Sequence, residues 1–194
     1  MNLPNKLTNL RIFMIPIFVF VLVFPLDLVT IESMGATFPT VNLIAAIIFA
    51  VASATDWLDG AIARAQGLVT NFGKFADPLA DKMLVMTAFV LLVELDLAPA
   101  WVVAIIVCRE LAVTGLRLLL VEQGGSVLAA AMPGKIKTVT QMLSVIFLLI
   151  HNYPFQGLGV RVDLILLYTC LFFTVYSGVD YFVKNKQVFQ DTSA

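Results

Sequence analysis

Apolar positions gather into six long stretches, near residues 10–26, 40–63, 76–95, 99–120, 136–152 and 162–183, separated by polar or Pro/Gly-containing breaks. A helix crosses the hydrocarbon core of a bilayer with about 17 to 25 mainly apolar residues, and all six stretches fit that length. The breaks, Asp27–Pro39, Ala65–Lys74, Glu94–Pro99, Glu122–Gly134 and His151–Arg161, are too short for a separate domain. No internal repeat is visible. The pattern predicts an all-α polytopic membrane protein, a single membrane domain over residues 1–194 with six transmembrane helices. Ahead of the first stretch, Leu3, Leu7 and Leu10 recur at helical spacing with Asn5, Thr8 and Arg11 on another face. This predicts a short amphipathic helix after Pro4, lying in the headgroup region.

Composition sharpens the class. The chain is 60% hydrophobic and 13% charged, with a mean hydropathy of +0.97, which excludes a water-soluble domain. A net charge of −1 gives no basic footprint for a nucleic-acid partner. Cys108 and Cys170 both lie inside apolar runs and suggest packing rather than a disulfide or a thiolate metal site. No small-residue cleavage pattern follows the basic N-terminus, so the first stretch reads as an uncleaved span. With the N-terminus in the cytoplasm, Lys6, Arg11, Arg64, Lys74, Lys82, Lys135, Lys137, Lys184 and Lys186 fall on the cytoplasmic side and only Arg161 outside. The outer breaks carry Asp27, Glu32, Glu94, Asp96 and Asp163 instead. The expected protein is a multi-pass protein of the cell membrane with both termini cytoplasmic.

Against that background, four aspartates stand within 26 residues: Asp56, Asp59, Asp77 and Asp81. A carboxylate at the centre of a membrane helix costs roughly 2.5 to 3.5 kcal/mol, so a cluster calls for a compensating partner. Asp56, Asp59, Gly60, Ala63 and Arg64 share one face near the end of the second stretch, and Gly73, Asp77 and Asp81 share one at the start of the third. The short connection between them is cytoplasmic, so the two faces can converge there. Oxygen donors alone suit Mg²⁺ or Mn²⁺, and two such ions about 3.5 to 4 Å apart suit a phosphate anhydride. Gly60, Ala63 and Gly73 leave room for close approach of a ligand, and Arg64 offers a planar fork for phosphate oxygens. Taken singly, each aspartate could cap a helix or pair with a lysine at the membrane edge. The full spacing is not explained that way.

The fixed positions Asp56-x-x-Asp59-Gly60-x-x-Ala63-Arg64, eight residues, Gly73-x-x-x-Asp77-x-x-x-Asp81 match the signature of the CDP-alcohol phosphotransferase family. Pro4-Asn5-x-x-Thr8-x-x-Arg11 and the segment from Arg109 to Arg117 further resemble the branch of that family whose acceptor is glycerol 3-phosphate. The resemblance implies a six-span enzyme that transfers a phosphatidyl group from CDP-diacylglycerol to sn-glycerol 3-phosphate, giving phosphatidylglycerophosphate and CMP. It implies that Asp56, Asp59, Asp77 and Asp81 hold two ions of Mg²⁺ or Mn²⁺, with Asp81 also the general base. Gly60, Ala63, Arg64, Gly73 and Thr8 would border the donor. Related enzymes suggest a homodimer.

The acceptor is itself a phosphate, so a cationic pocket is expected. Arg109 and Arg117 lie eight residues apart and share a face of the fourth stretch, and Lys135 opens the fifth. These three are the candidate phosphate contacts. Arg117 could instead snorkel to the interface, and Lys135 and Lys137 could serve only the charge asymmetry of the membrane. Glu110 is expected to pair with an arginine of the pocket, and His151 falls on the outer side. Serine, an inositol phosphate or phosphatidylglycerol remain alternative acceptors. A divalent-cation transporter is the rival from another class, but it would place its acids near the midplane, commonly between repeats.

Overall fold

The computed structural model describes the backbone of residues 3–24, 30–33, 36–66, 71–122 and 132–186; the side chains of residues 3–8, 31–33, 36–38, 56–66, 71–78, 81 and 121–122 lie outside the described residues. Six long helices run α1 Leu3–Val23, α2 Thr40–Gln66, α3 Asn71–Glu94, α4 Ala100–Glu122, α5 Met132–Leu149 and α6 Val162–Lys184. Each coincides with one of the six apolar stretches. Helix α2 runs on to Gln66, past the end of its apolar stretch, and α3 begins at Asn71, ahead of the start of its own, so both continue the helical backbone through polar sequence.

One expectation needs correction. The short N-terminal helix is not a separate element: α1 runs unbroken from Leu3 to Val23. Pro4 sits in its first turn, where the missing N–H has no helical partner to lose, and nothing between it and Pro16 interrupts the helix. The fold is all-α as expected, apart from one short hairpin. In the first break, β1 Thr30–Ser33 pairs antiparallel with β2 Ala36–Pro39, Thr30 opposite Pro39 and Ser33 opposite Ala36. Thr30, Ile31, Thr37 and Phe38 are β-branched or aromatic, a strand signal that a search for spans passes over.

The helices fall into two compact units. The first holds residues 1–98 and 145–163. Within it α1 packs on both α2 and α3, with Phe18 and Phe49 fully buried and their ring centroids 6.1 Å apart. Ala45, Ala46 and Ala52 on α2 are buried, and such small residues permit close approach of helices. The end of α5 turns through His151 and Asn152, both at positive φ, into a short 3₁₀ helix at Phe155–Leu158. Asn152, buried, ties this turn together: its Nδ2 donates to the Val160 carbonyl at 2.6 Å and its Oδ1 accepts from the Asp163 backbone N–H at 3.2 Å. Asp163 in turn accepts two hydrogen bonds from Arg161, at 3.0 and 2.9 Å. Hydrogen bonding to Asp163 raises the Arg161 pKa above its ordinary value, and partial burial opposes it.

The second unit holds residues 99–144 and 164–194; its interior mixes apolar side chains, Val102, Ile106, Val113, Leu116 and Leu167 among them, with polar ones, and its surface is rich in exposed apolar side chains. On α6 the buried stripe is Leu167, Cys170, Thr174 and Ser177, whereas the exposed stripe is Ile165, Tyr168, Phe172, Val175, Val179 and Val183. On α5, Lys137, Gln141 and Ser144 are buried while Val139 and Leu143 are exposed. Among the described residues α6 is long and apolar enough to cross a membrane; in α4 the charges of Arg109, Glu110 and Arg117 interrupt an otherwise apolar run.

Asn152→Ala is expected to lower stability by about 1 to 3 kcal/mol, because it leaves a buried carbonyl and a buried N–H without their partner. The thermal unfolding midpoint in detergent reads the loss. Arg161→Ala, at a side chain 63% exposed, should shift that midpoint far less.

Candidate active site

The aspartate signature lies on two helices of the first unit that touch one another and both pack against α1. Asp56 and Asp59 fall in the C-terminal half of α2, and Asp77 and Asp81, one turn apart, in the first half of α3. Their side chains, and those of Thr8, Gly60, Ala63, Arg64 and Gly73, lie outside the described residues. The donor set is chemically suited to hard divalent cations: four carboxylates, with no histidine or cysteine among them. Among the described residues no three His, Cys, Asp or Glu side chains come together.

Arg11 on α1, which the sequence puts on one polar face with Asn5 and Thr8, is not among the expected site residues. Its side chain is almost wholly buried, and its Nε donates to the Ala52 carbonyl at 3.3 Å. That carbonyl also accepts from Thr55 Oγ1 at 2.7 Å. A guanidinium is thereby fixed on α2 one turn before Asp56. The signal available in the sequence is an arginine about one turn beyond Thr8 on the same polar face.

In the second unit a charged cluster joins α4, α5 and α6. Glu110, 8% exposed, is shared between Arg109 Nη1, at 3.2 Å, and Lys137 Nζ. Burial makes an unpaired carboxylate costly, and two cations on one anion leave the cluster with an excess positive charge. Arg109 is further held by α6: Nε donates to the Thr174 carbonyl at 3.1 Å and Nη2 to Ser177 Oγ at 2.8 Å. Gly178 completes this seat. A Cβ there would stand 3.0 Å from Arg109 Cγ and 3.3 Å from its Nε, so any larger residue would push the arginine stem slightly off the helix. Three of the five guanidinium N–H donors are engaged, which leaves two for a ligand.

The three expected phosphate contacts therefore differ in kind. Arg109 is anchored within the protein. Arg117 places its guanidinium carbon 5.4 Å from the centroid of the Tyr181 ring, and Lys135 is exposed. The lysine brought into the buried cluster is Lys137, two residues beyond the preferred one. Glu110 does pair with an arginine, as expected, but Lys137, Thr174, Ser177 and Gly178 were not foreseen as its companions. Beside Arg109, an apolar cavity of about 430 Å³ opens on the α4 and α6 surface between Cys108, Ala112, Val175, Gly178 and Val179.

Residues 1–176 match the CDP-alcohol phosphatidyltransferase family. The chain is 52% identical over 184 residues, 95% of each chain, to CDP-diacylglycerol--glycerol-3-phosphate 3-phosphatidyltransferase of Bacillus subtilis (strain 168). It is 36% identical over 184 residues, 94% of this chain and 81% of the relative, to a probable phosphatidylglycerophosphate synthase of Mycobacterium tuberculosis (strain ATCC 25618 / H37Rv). To the enzyme of Rickettsia felis (strain ATCC VR-1525 / URRWXCal2) with the same name as the Bacillus protein, it is 35% identical over 192 residues, 97% of each. With the aspartate signature standing on two packed helices and the match running through all but the last residues, the chain belongs to the CDP-alcohol phosphatidyltransferase family.

Proposed function

We propose that this chain is a metal-dependent enzyme that transfers the phosphatidyl group of CDP-diacylglycerol to sn-glycerol 3-phosphate, forming phosphatidylglycerophosphate and CMP for anionic phospholipid synthesis. The observation that carries this is 52% identity over 95% of the chain to a protein named for that reaction. The complete aspartate signature on α2 and α3 supports it.

Asp56, Asp59, Asp77 and Asp81 would hold two ions of Mg²⁺ or Mn²⁺. When bound, these supply positive charge to the diphosphate and to the departing CMP. Asp81 accepts the proton of the acceptor hydroxyl as its oxygen bonds to the β-phosphorus and the bridging P–O bond to CMP breaks. Thr8, Gly60, Ala63, Arg64 and Gly73 border the donor. Arg109, Arg117 and Lys135 bind the acceptor phosphate: Arg109 through the two donors that its partners leave over, Arg117 and Lys135 with more of their donors uncommitted. The seat formed by Thr174, Ser177 and Gly178 fixes Arg109 before any ligand arrives, which lowers the ordering cost of binding.

The enzyme works in the cell membrane as one multi-pass domain of six spans, with both termini and the aspartates cytoplasmic and with membrane lipid as its surroundings. The stripe of exposed apolar side chains on α6, Ile165, Phe172, Val175, Val179 and Val183, supports this, because such a face suits lipid better than water. A homodimer is the proposed assembly. Nucleic acid is not a partner.

Asp81→Asn is expected to reduce CMP release by at least about 10²-fold while CDP-diacylglycerol binding stays within a few-fold of the parent. Undiminished release would remove Asp81 from the base role. Arg109→Ala should raise the KM for glycerol 3-phosphate by about tenfold or more, with a much smaller change for CDP-diacylglycerol. Equal rises for both substrates would show that Arg109 only supports the fold.

A further inference from the structure

Within the second unit α4 and α6 meet again at Arg117 and Tyr181. Leu116 and Leu120 are buried there, and Tyr181 and Phe182 pack against them. The Arg117 guanidinium lies over the Tyr181 ring, 5.4 Å from its centroid. Two polar atoms of this pair are sealed from solvent yet make no hydrogen bond among the described residues: Arg117 Nε and the Tyr181 hydroxyl. Arg109 shows the opposite state, with all three of its nitrogens bonded to the protein.

Buried polar groups are nearly always paired, so two orphans on one contact ask what completes them. The chemistry of the missing partner follows from their own. A guanidinium Nε–H can only donate, and a phenol donates readily, so the partner offers acceptors; beside a fixed positive charge it is an anion with several oxygens. A phosphomonoester has that character. The inference rests on the proposed reaction, in which the acceptor carries such a group.

We propose that Tyr181 is a substrate-binding, specificity-determining residue whose hydroxyl donates to the phosphate of sn-glycerol 3-phosphate. Its ring holds the Arg117 guanidinium in one orientation, so that Nε–H donates to the same phosphate. An acceptor alcohol without a phosphate leaves both donors buried and unpaired, and a site built on hydrogen bonds rejects such an analogue strongly. Selection for a phosphorylated acceptor is thereby written into α6 as well as into the arginines of α4.

The test is steady-state CMP release by the full-length protein in mixed micelles with CDP-diacylglycerol and Mg²⁺ or Mn²⁺, comparing the parent, Tyr181→Phe, Arg117→Ala and the double variant. Tyr181→Phe keeps the ring and removes one oxygen. It should raise the KM for glycerol 3-phosphate by about tenfold, as loss of a hydrogen bond to a charged group does, with kcat and the KM for CDP-diacylglycerol within about twofold. Because both residues hold one phosphate, the double variant should show less than the product of the single effects. A parental KM in Tyr181→Phe alongside a raised KM in Arg117→Ala overturns the role of Tyr181 and leaves Arg117 in place. Parental values in both variants overturn the Arg117 contact and the Tyr181 role together. A fall in kcat alone, or equal rises in both KM values, marks a structural role and also overturns it. If Tyr181→Phe unfolds at a lower temperature than the parent, calorimetric titration of the folded variant with glycerol 3-phosphate decides: weaker binding upholds the proposal and unchanged binding overturns it. Absence of CMP release by the parent with glycerol 3-phosphate would sink the reaction itself.

Discussion

One carboxylate shared between two cations ties α4, α5 and α6 together: Glu110 accepts from Arg109 and from Lys137, and all three side chains are largely buried. Charge in a low-dielectric interior is tolerated only when it is paired, and removing one partner strands the others. The surroundings leave no substitute. Outside the cluster these helices present Leu111, Leu118, Val139, Phe172 and Val179, so water does not stand ready to solvate a released charge. The ion cluster thus sets the rotation of each helix about its own axis. The remaining contacts of the unit follow from that rotation: Arg109 on Thr174, Ser177 and Gly178, and Arg117 over Tyr181.

The first unit applies the same principle with other parts. Arg11 enters a helix packing built on Phe18, Phe49 and buried alanines, where its Nε meets the Ala52 carbonyl. The aspartates that the proposed chemistry requires follow immediately along α2 and reappear on α3. Helical spacing is what makes such a set usable, since residues three and four apart stay on one face. Rigid helices, not loops, therefore carry the residues of both the aspartate signature and the cationic cluster.

Much of this was legible in the chain because it depends on local sequence. Apolar length located all six helices, and the aspartate signature pointed to the family whose model matches residues 1–176. What escaped detection depends on contacts between distant residues. Lys137 and Lys135 are equally plausible in sequence, and only the rotation of α5 toward Glu110 separates them. Ser177 and Gly178 look like weak points in an apolar helix until Arg109, 68 and 69 residues earlier, is seen lying across them. The β1–β2 hairpin was passed over because two four-residue strands leave little trace beside spans of about 20 residues. The unbroken α1 was misjudged because its amphipathic beginning suggested an interfacial helix, although nothing in the sequence between Pro4 and Pro16 stops helix propagation.

Acceptor choice is the finest claim of the account: it rests on 52% identity to a relative named for glycerol 3-phosphate and on the cationic cluster of α4, α5 and α6. Purified protein in mixed micelles with CDP-diacylglycerol and Mg²⁺ or Mn²⁺ should be offered glycerol 3-phosphate, serine, an inositol phosphate and phosphatidylglycerol in parallel, and CMP release measured. Metal-dependent release with glycerol 3-phosphate and not with the other three is the predicted result. Release with a different acceptor, or with none, would contradict it.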